Sequence, residues 1–218
     1  MNTPRVLHGE LLDSLPPGEE GVASLRDLVS INRFLGGHRV IRSVFRRLER
    51  SDSPFSVVDV GAASGDMGAA LRRAFPLASV TSVDRVPYHL AGAAPPRVVA
   101  DVFALPFPPR SFDYVTCTLF LHHFSDAALP GLLGSLLGLA RRALVVIDLE
   151  RGPGGRLLMP VVGALFRWSP VTRHDAALSM DSAFRAGELR VFARAAGASD
   201  VRIRTHRPWL RLSMVARP

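Results

Sequence analysis

Several residue types are scarce or absent in this chain of 218 residues, and each absence removes a class of protein. A single cysteine rules out a disulfide framework and any site built from Cys-x-x-Cys pairs. No run of apolar residues reaches the ~18 that a membrane-spanning helix needs. Residues 1–20 lack the charged-then-apolar order of a secretory signal. Together these absences predict a soluble, cytoplasmic protein with no transmembrane segment.

The basic residues are of one kind only. Lysine is absent, so all 27 basic residues are arginine, against 19 acidic residues, and the formal net charge is +8. Such a charge is typical of proteins that bind nucleic acid. The arginines are dispersed and no aromatic–basic interleaving appears, so we interpret them as the usage of a high-GC genome and expect no nucleic-acid partner. Peripheral proximity to an anionic membrane surface stays open.

The spacing of apolar residues divides the chain into three parts. Helices are predicted at 24–35 and 38–50, on either side of Gly36 and Gly37. Alternating strands and helices follow, with strands at 55–60, 78–83, 97–100, 111–118 and 143–148 and helices at 66–75 and 126–142. The last part predicts helices at 157–168 and 181–196 and an antiparallel hairpin of 201–205 with 209–215. This order predicts an α/β fold with a doubly wound, mostly parallel sheet.

A glycine-rich turn after the first predicted strand carries the strongest functional signal. Residues 59–65 read DVGAASG and open a helix, which places backbone N–H groups at a helix N-terminus. The small residues let a ligand approach the backbone closely. Asp84 closes the second strand 23 positions after Gly61 (84 − 61), near the ~20-residue spacing at which a carboxylate meets ribose hydroxyls. The pattern predicts a site for a cofactor that contains ribose.

This arrangement resembles the class I S-adenosylmethionine-dependent methyltransferases, in their ubiquinone/menaquinone-type branch of bacterial small-molecule enzymes. Their acid-x-Gly-x-Gly-x-Gly turn matches residues 59–65, with Ala63 in place of the middle glycine. Residues 111–115 and the LHHF run at 121–124 look like their fourth-strand motif. The resemblance covers about residues 55–148. It implies a Rossmann-like seven-stranded sheet at 51–218, with residues 1–50 as a helical lid.

The resemblance also implies the cofactor, S-adenosylmethionine, and the residues that hold it. The implied cofactor-binding set is Asp59, Gly61, Ala62, Ala63, Gly65, Asp84, Arg85, Asp101, Val102 and Thr118. Acids near the turn suit a ligand that carries ammonium and sulfonium groups. The pyrophosphate of a dinucleotide would instead be repelled by Asp66. No metal-ligand set is predicted.

Histidines near the same edge of the sheet are candidates for the catalytic base. A phenol has a pKa near ~10, and histidine is a base that can take its proton. The candidates are His122 and His123, and His174 in a predicted loop at 169–175. For each, a role as a helix cap or solvated loop residue is equally open. The remaining histidines read as surface or boundary residues: His8, His38, His89 and His206.

Apolar segments at the N-terminus and at 157–168 favour a small, hydrophobic acceptor, such as a phenolic, quinone or polyketide-derived molecule. O-, C- and N-methylation all stay open. Two other functions also stay open. One is methylation of RNA or another nucleic acid, although residues 118–121 read TLFL where enzymes that methylate base nitrogens usually carry Asn/Asp-Pro-Pro-aromatic. The other is a cofactor-binding protein without turnover.

Overall fold

A computed structural model describes residues 5–7, 9–152 and 155–218. Seven strands form one sheet: β1 (Phe55–Val60), β2 (Ala78–Asp84), β3 (Arg97–Val99), β4 (Phe112–Thr118), β5 (Ala140–Leu149), β6 (Asp200–His206) and β7 (Arg211–Arg217). Their order across the sheet is β3-β2-β1-β4-β5-β7-β6. The first five strands run parallel, and β7 is antiparallel to both β5 and β6. The sheet confirms the predicted fold class.

Helices cover both faces of this sheet. They are α1 (Glu19–Phe34), α2 (Gly37–Phe45), α3 (Asp66–Ala74), α4 (Leu129–Leu139), α5 (Gly155–Leu165), α6 (Pro170–Ser182) and α7 (Ala186–Ala195). Alternate strand residues face opposite sides, so Val58 packs in one apolar cluster with α4 and α7, and Val57 packs in another with α2 and α3. Helices on both faces explain why most residues of β1 and β5 are buried.

The predicted lid at residues 1–50 divides into two parts with different surroundings. Helix α2 belongs to the core, because the fully buried Phe45 ring packs against Phe55, Phe75 and Tyr114 with centroids 5.6, 6.2 and 5.2 Å away. Helix α1 instead lies beside the carboxyl ends of the strands and contacts α6. Only α1 and the segment before it are therefore placed to cover a ligand.

Several predicted boundaries differ from the structure, and for three of them a local cause is visible. Helix α4 ends at Leu139, and Arg141 and Arg142 lie in β5 because Ala140 already pairs with Phe112. The helix predicted at 181–196 is broken at 183–185, where the backbone of Phe184 bonds to Leu149 and Arg151. The predicted loop at 169–175 is instead the start of α6.

Two further features concern the ends of elements. The Ser169 hydroxyl caps α6 by accepting from the Thr172 N–H at 3.1 Å. The second hairpin strand begins at Arg211 and not at residue 209, because residues 207–210 form the turn. Among the described residues, none of the helices is both long and apolar enough to span a bilayer.

The placement of α2 in the core predicts the result of a matched pair of truncations. Phe45→Ala should lower the free energy of unfolding by about 3–5 kcal/mol, because a fully buried ring is replaced by a cavity. Phe34→Ala in α1, where the ring is 54% exposed, should cost less than about 1 kcal/mol. Urea unfolding of both variants checks this, and equal losses would show that α2 is not a core helix.

Candidate active site

A cavity of about 430 Å³ opens at the carboxyl ends of β1, β2 and β4. Its volume lies within the range of small-molecule sites. The glycine-rich turn forms one side, and α1, α6 and residues 209–211 form the other. Every member of the predicted cofactor-binding set lines this cavity except Gly65, which lies behind the turn.

The turn itself is held in a conformation that favours glycine. Gly61, Ala63 and Gly65 have φ values of +67°, +43° and +68°. A Cβ on Gly61 would lie 2.3 Å from the Phe120 ring, and a Cβ on Gly65 would lie 2.6 Å from that of Ala93. Both glycines are therefore required by their φ and by close contacts. Ala63 is the strained member, because an L-residue with a side chain is disfavoured at positive φ.

Asp59 is a buried acid with an incomplete set of hydrogen-bond partners. It is 2% exposed at the end of β1, and its Oδ1 accepts from the Thr116 hydroxyl at 2.8 Å. Its Oδ2 is buried and has no partner among the described residues. Burial raises the pKa of Asp59 to about 7 in spite of the Thr116 bond, and the nearby carboxyl groups of Asp66 and Asp84 act in the same direction. A cationic ligand group would give this oxygen a partner.

Asp84 connects the end of β2 to the glycine-rich turn. Its Oδ2 accepts from the Ala63 N–H at 2.9 Å, and its Oδ1 accepts from the Val86 N–H at 3.0 Å and lies 3.3 Å from Nδ1 of His89. Burial alone would raise the pKa of Asp84, but the bonds from His89, Val86 and Ala63 hold it below its usual value. The group is therefore an ionised acceptor in the cavity wall. His89, read from the sequence as a surface residue, is only 5% exposed.

The remaining residues of the predicted cofactor-binding set differ in their exposure to solvent. Asp101 is exposed and accepts from the Phe103 N–H at 2.9 Å, so it also caps the turn that follows β3. Val102 is half-buried, and Arg85 is exposed at the rim of the cavity. Thr118 ends β4, and its buried hydroxyl has no partner in the part of the chain that the structure describes.

His122 lies between two carboxylates. Its Nδ1 is 2.6 Å from Asp148 Oδ1, and its Nε2 is 3.3 Å from Glu10 Oε1. Burial by itself would lower the pKa of His122, but the carboxylates of Asp148 and Glu10 outweigh it and raise the pKa to about 10. Asp148 also accepts from the Leu121 and Leu149 N–H groups, which fixes it at the end of β5. His122 is thus an imidazolium at neutral pH.

The other two candidate bases lie in different surroundings. His123 lines the cavity, and its ring lies against that of His122 with centroids 4.4 Å apart and planes tilted by 31°. Its Nε2 is 3.7 Å from Glu10 Oε2. His174 lies on α6 with its side chain 51% exposed, beside Asp175, and is not part of the cavity wall. The structure brings His122 and His123 together and leaves His174 outside.

Glu10 and Ser179 line the cavity, and no signal in the sequence points to them. Glu10 also accepts from the Ser179 hydroxyl, and these two residues are 169 positions apart. His38, read as a boundary residue, has its Nε2 2.7 Å from Asp66 Oδ2, and His206 bonds to Ser213. His8 lies outside the described residues.

Arg211 is a second unexpected member of the cavity wall. It is 1% exposed, and its Nε donates to Leu35 O at 2.8 Å and its Nη2 to Asn32 Oδ1 at 3.2 Å. Its Nη1 is buried without a partner among the described residues. Burial lowers the pKa of Arg211 to about 10, so the side chain remains a cation at neutral pH. An anionic ligand group would give Arg211 Nη1 a hydrogen-bond partner.

Comparison with known proteins finds similarity to methyltransferases. The family described as "Methyltransferase domain" matches residues 58–133. A demethylmenaquinone methyltransferase of Deinococcus radiodurans is 29% identical over 163 residues, which are 67% of this chain and 62% of that protein.

Solved structures share the fold at low sequence identity. The plantazolicin methyltransferase BpumL in complex with S-adenosylhomocysteine superposes with a TM-score of 0.65 at 13% identity, covering 91% of this chain and 88% of that chain. Human N-acetylserotonin methyltransferase in complex with S-adenosylmethionine gives 0.64 at 17% identity, covering 91% and 56%. Residues 58–133 therefore match the methyltransferase-domain family, and the chain shares the fold of these solved methyltransferases.

The strain at Ala63 predicts opposite effects of one chemical change at two positions. Ala63→Gly should raise the free energy of unfolding by up to about 1 kcal/mol, because relief of the positive φ exceeds the added backbone entropy. Ala69→Gly, inside α3, should lower it by about 0.5–1 kcal/mol. Thermal and urea unfolding check both variants. A loss at Ala63 equal to that at Ala69 would contradict the description of the turn.

Proposed function

We propose that this protein transfers a methyl group from S-adenosylmethionine to a small aromatic or hydrophobic acceptor of the phenolic, quinone or polyketide-derived kind. The observation that carries the proposal is the buried Asp59 carboxyl, which lies beside the glycine-rich turn and has one oxygen with no partner in the described part of the chain. An uncompensated buried carboxylate is costly. A ligand that brings a cation to this oxygen removes that cost.

The residues present fit the cofactor at three of its groups. Asp59 Oδ2 suits the amino group, and the Arg211 guanidinium suits the carboxylate at the same methionine end. Asp84 is ionised and retains lone pairs for ribose hydroxyls beyond its present bonds. When bound, the cofactor supplies an activated methyl group on a sulfonium. The chain's own contribution is to orient that group against the acceptor and to exclude water.

The apolar part of the cavity wall favours an apolar acceptor. It includes aliphatic, aromatic and thioether side chains: Leu28, Ile31, Leu35, Phe120, Phe124, Met159, Trp168 and Met180. Rings and thioethers pack well against a flat aromatic molecule. The name of the Deinococcus radiodurans relative gives demethylmenaquinone as its substrate, which supports a quinone-type acceptor here.

His123 is the residue that we propose as the proton acceptor. His122 is unsuited to this role in its present state, because an imidazolium between two carboxylates has no lone pair to offer. His122 instead acts as a positioning residue, since it connects Asp148 at the sheet edge to Glu10 and its ring contacts that of His123. An acceptor hydroxyl that approaches His123 could then lose its proton as the methyl group transfers.

The N-terminal segment and α1 form the cover of the proposed site. The Leu11 and Leu12 N–H groups donate to the Asp175 carboxylate at 2.9 and 3.1 Å, which ties the segment to α6. The Ser169 N–H donates to Asp27 Oδ2 at 2.7 Å, which ties α1 to the start of the same helix. We propose that these contacts open to admit the acceptor and close to exclude water.

The Asp59 assignment predicts a pH dependence of cofactor-product binding. Only the ionised carboxylate attracts the ammonium, so with a pKa near 7 the affinity for S-adenosylhomocysteine should fall about tenfold between pH 8 and pH 6. Asp59→Asn should bind at least about tenfold more weakly at pH 8, and its affinity should lack that pH dependence. Isothermal titration calorimetry measures both.

The control for this measurement is Asp52→Asn, at an exposed acid before β1 and on the opposite edge of the sheet, which should bind as the wild-type protein does. Unchanged binding by Asp59→Asn would contradict the assignment of the cofactor.

The His123 assignment predicts a loss of turnover without a loss of cofactor binding. His123→Gln should lower the rate of methyl transfer by about 100-fold or more and leave S-adenosylhomocysteine affinity nearly unchanged. The assay measures S-adenosylhomocysteine release with a panel of alkylresorcinols, simple phenols and reduced naphthoquinones.

His174→Gln provides the matched control, because this side chain is outside the cavity and the variant should retain full activity. Equal losses in both variants would contradict the role of His123. Binding of S-adenosylhomocysteine with no turnover on any acceptor of the panel would favour a cofactor-binding protein without activity.

A further inference from the structure

Helix α5 presents an apolar surface to solvent. Leu157, Val161 and Leu165 are 80%, 65% and 77% exposed, and Leu158 is 44% exposed. At the end of the helix, the rings of Phe166 and Phe34 lie 5.8 Å apart and are both partly exposed. We name these six residues the α5 patch. Isolated exposed apolar residues are common, but a contiguous group of this kind marks an interaction surface.

The α5 patch is one face of a helix whose opposite face is packed. Leu157, Val161 and Leu165 are four residues apart, so they lie along one side. On the other side, Met159 lines the cavity, and a Cβ on Gly163 would lie 3.0 Å from the Trp168 ring. The helix of 11 residues is about 16 Å long, roughly half of the ~30 Å hydrocarbon thickness of a bilayer. Such a helix can lie in a membrane interface but cannot cross it.

The segment of sequence that contains α5 carries charge of one sign. Between Glu150 and Asp175 the sequence contains four arginines and no acidic residue. Arg167 is exposed just after the helix. The Arg33 guanidinium lies 5.3 Å from the centre of the Phe34 ring. Apolar side chains bordered by arginine are the combination that binds anionic lipid surfaces.

We propose that the α5 patch docks this protein onto an anionic phospholipid surface. The exposed leucine, valine and phenylalanine side chains enter the acyl boundary, and the arginines contact lipid phosphates. A second copy of the chain fits the surface less well, because a two-fold interface would bring the same arginines together. The proposal is independent of the methyl acceptor. It also places the cavity-lining α5 directly on the lipid surface.

Two valines provide a matched test. Val161 in the α5 patch and Val191 on α7 are each 65% exposed and each lie in a helix. Sedimentation with vesicles of phosphatidylcholine containing about one quarter phosphatidylglycerol should carry down the wild-type protein and Val191→Asp equally. Val161→Asp should bind at least about tenfold more weakly, because a charged side chain replaces one that would be buried in lipid. Circular dichroism and S-adenosylhomocysteine binding verify that the variants fold.

The contact between arginine side chains and lipid phosphates is tested separately. Arg167→Glu should also weaken binding, and vesicles of phosphatidylcholine alone, or about 0.5 M NaCl, should reduce binding of the wild-type protein several-fold. Equal binding by Val161→Asp and Val191→Asp would overturn the proposal, as would the absence of wild-type binding to anionic vesicles. A dimer in solution that Val161→Asp converts to a monomer, without vesicle binding, would overturn it in favour of an interface between two copies.

Discussion

The need to compensate carboxyl groups at one edge of the sheet is the constraint on which the rest of the site depends. Strands β1, β2 and β5 each bring an acid to their carboxyl ends, and the helix after the glycine-rich turn begins with another. Three of these acids are each accompanied by a histidine: Asp84 by His89, Asp66 by His38, and Asp148 by His122. Asp59 has only Thr116 for one oxygen, and the other has no partner among the described residues.

This arrangement explains how a chain of net charge +8 can present a negative site. Most arginines lie away from the cavity, whereas the acids are gathered where a sulfonium and an ammonium would bind. Asp59, which has a partner for only one oxygen among the described residues, is then the acid that attracts a cationic ligand group. Asp148 has partners for both oxygens and holds the His122 side chain in place. His122 illustrates the difference, because its two carboxylate neighbours stabilise its positive charge.

Local patterns in the sequence predict much of the fold and the cofactor side of the cavity. The turn at 59–65 and Asp84 can be found from sequence because strand, turn and helix follow one another directly, and the structure places them in one wall. The rest of the cavity wall depends on contacts between distant residues, such as Glu10 with His122 and Asn32 with Arg211, 112 and 179 positions apart. The predicted helix end at Arg142 is wrong because arginine is favourable both at the end of a helix and at an exposed position in a strand, where Arg142 pairs with Glu49.

The most direct test of the account is a crystal structure with S-adenosylhomocysteine bound at about pH 8, above the pKa of Asp59. We expect the amino nitrogen of the ligand within about 3 Å of Asp59 Oδ2 and the ribose hydroxyls on Asp84. A ligand whose amino group lies elsewhere, with Asp59 Oδ2 still lacking a cationic partner, would contradict the central claim that this buried carboxylate defines the cofactor site.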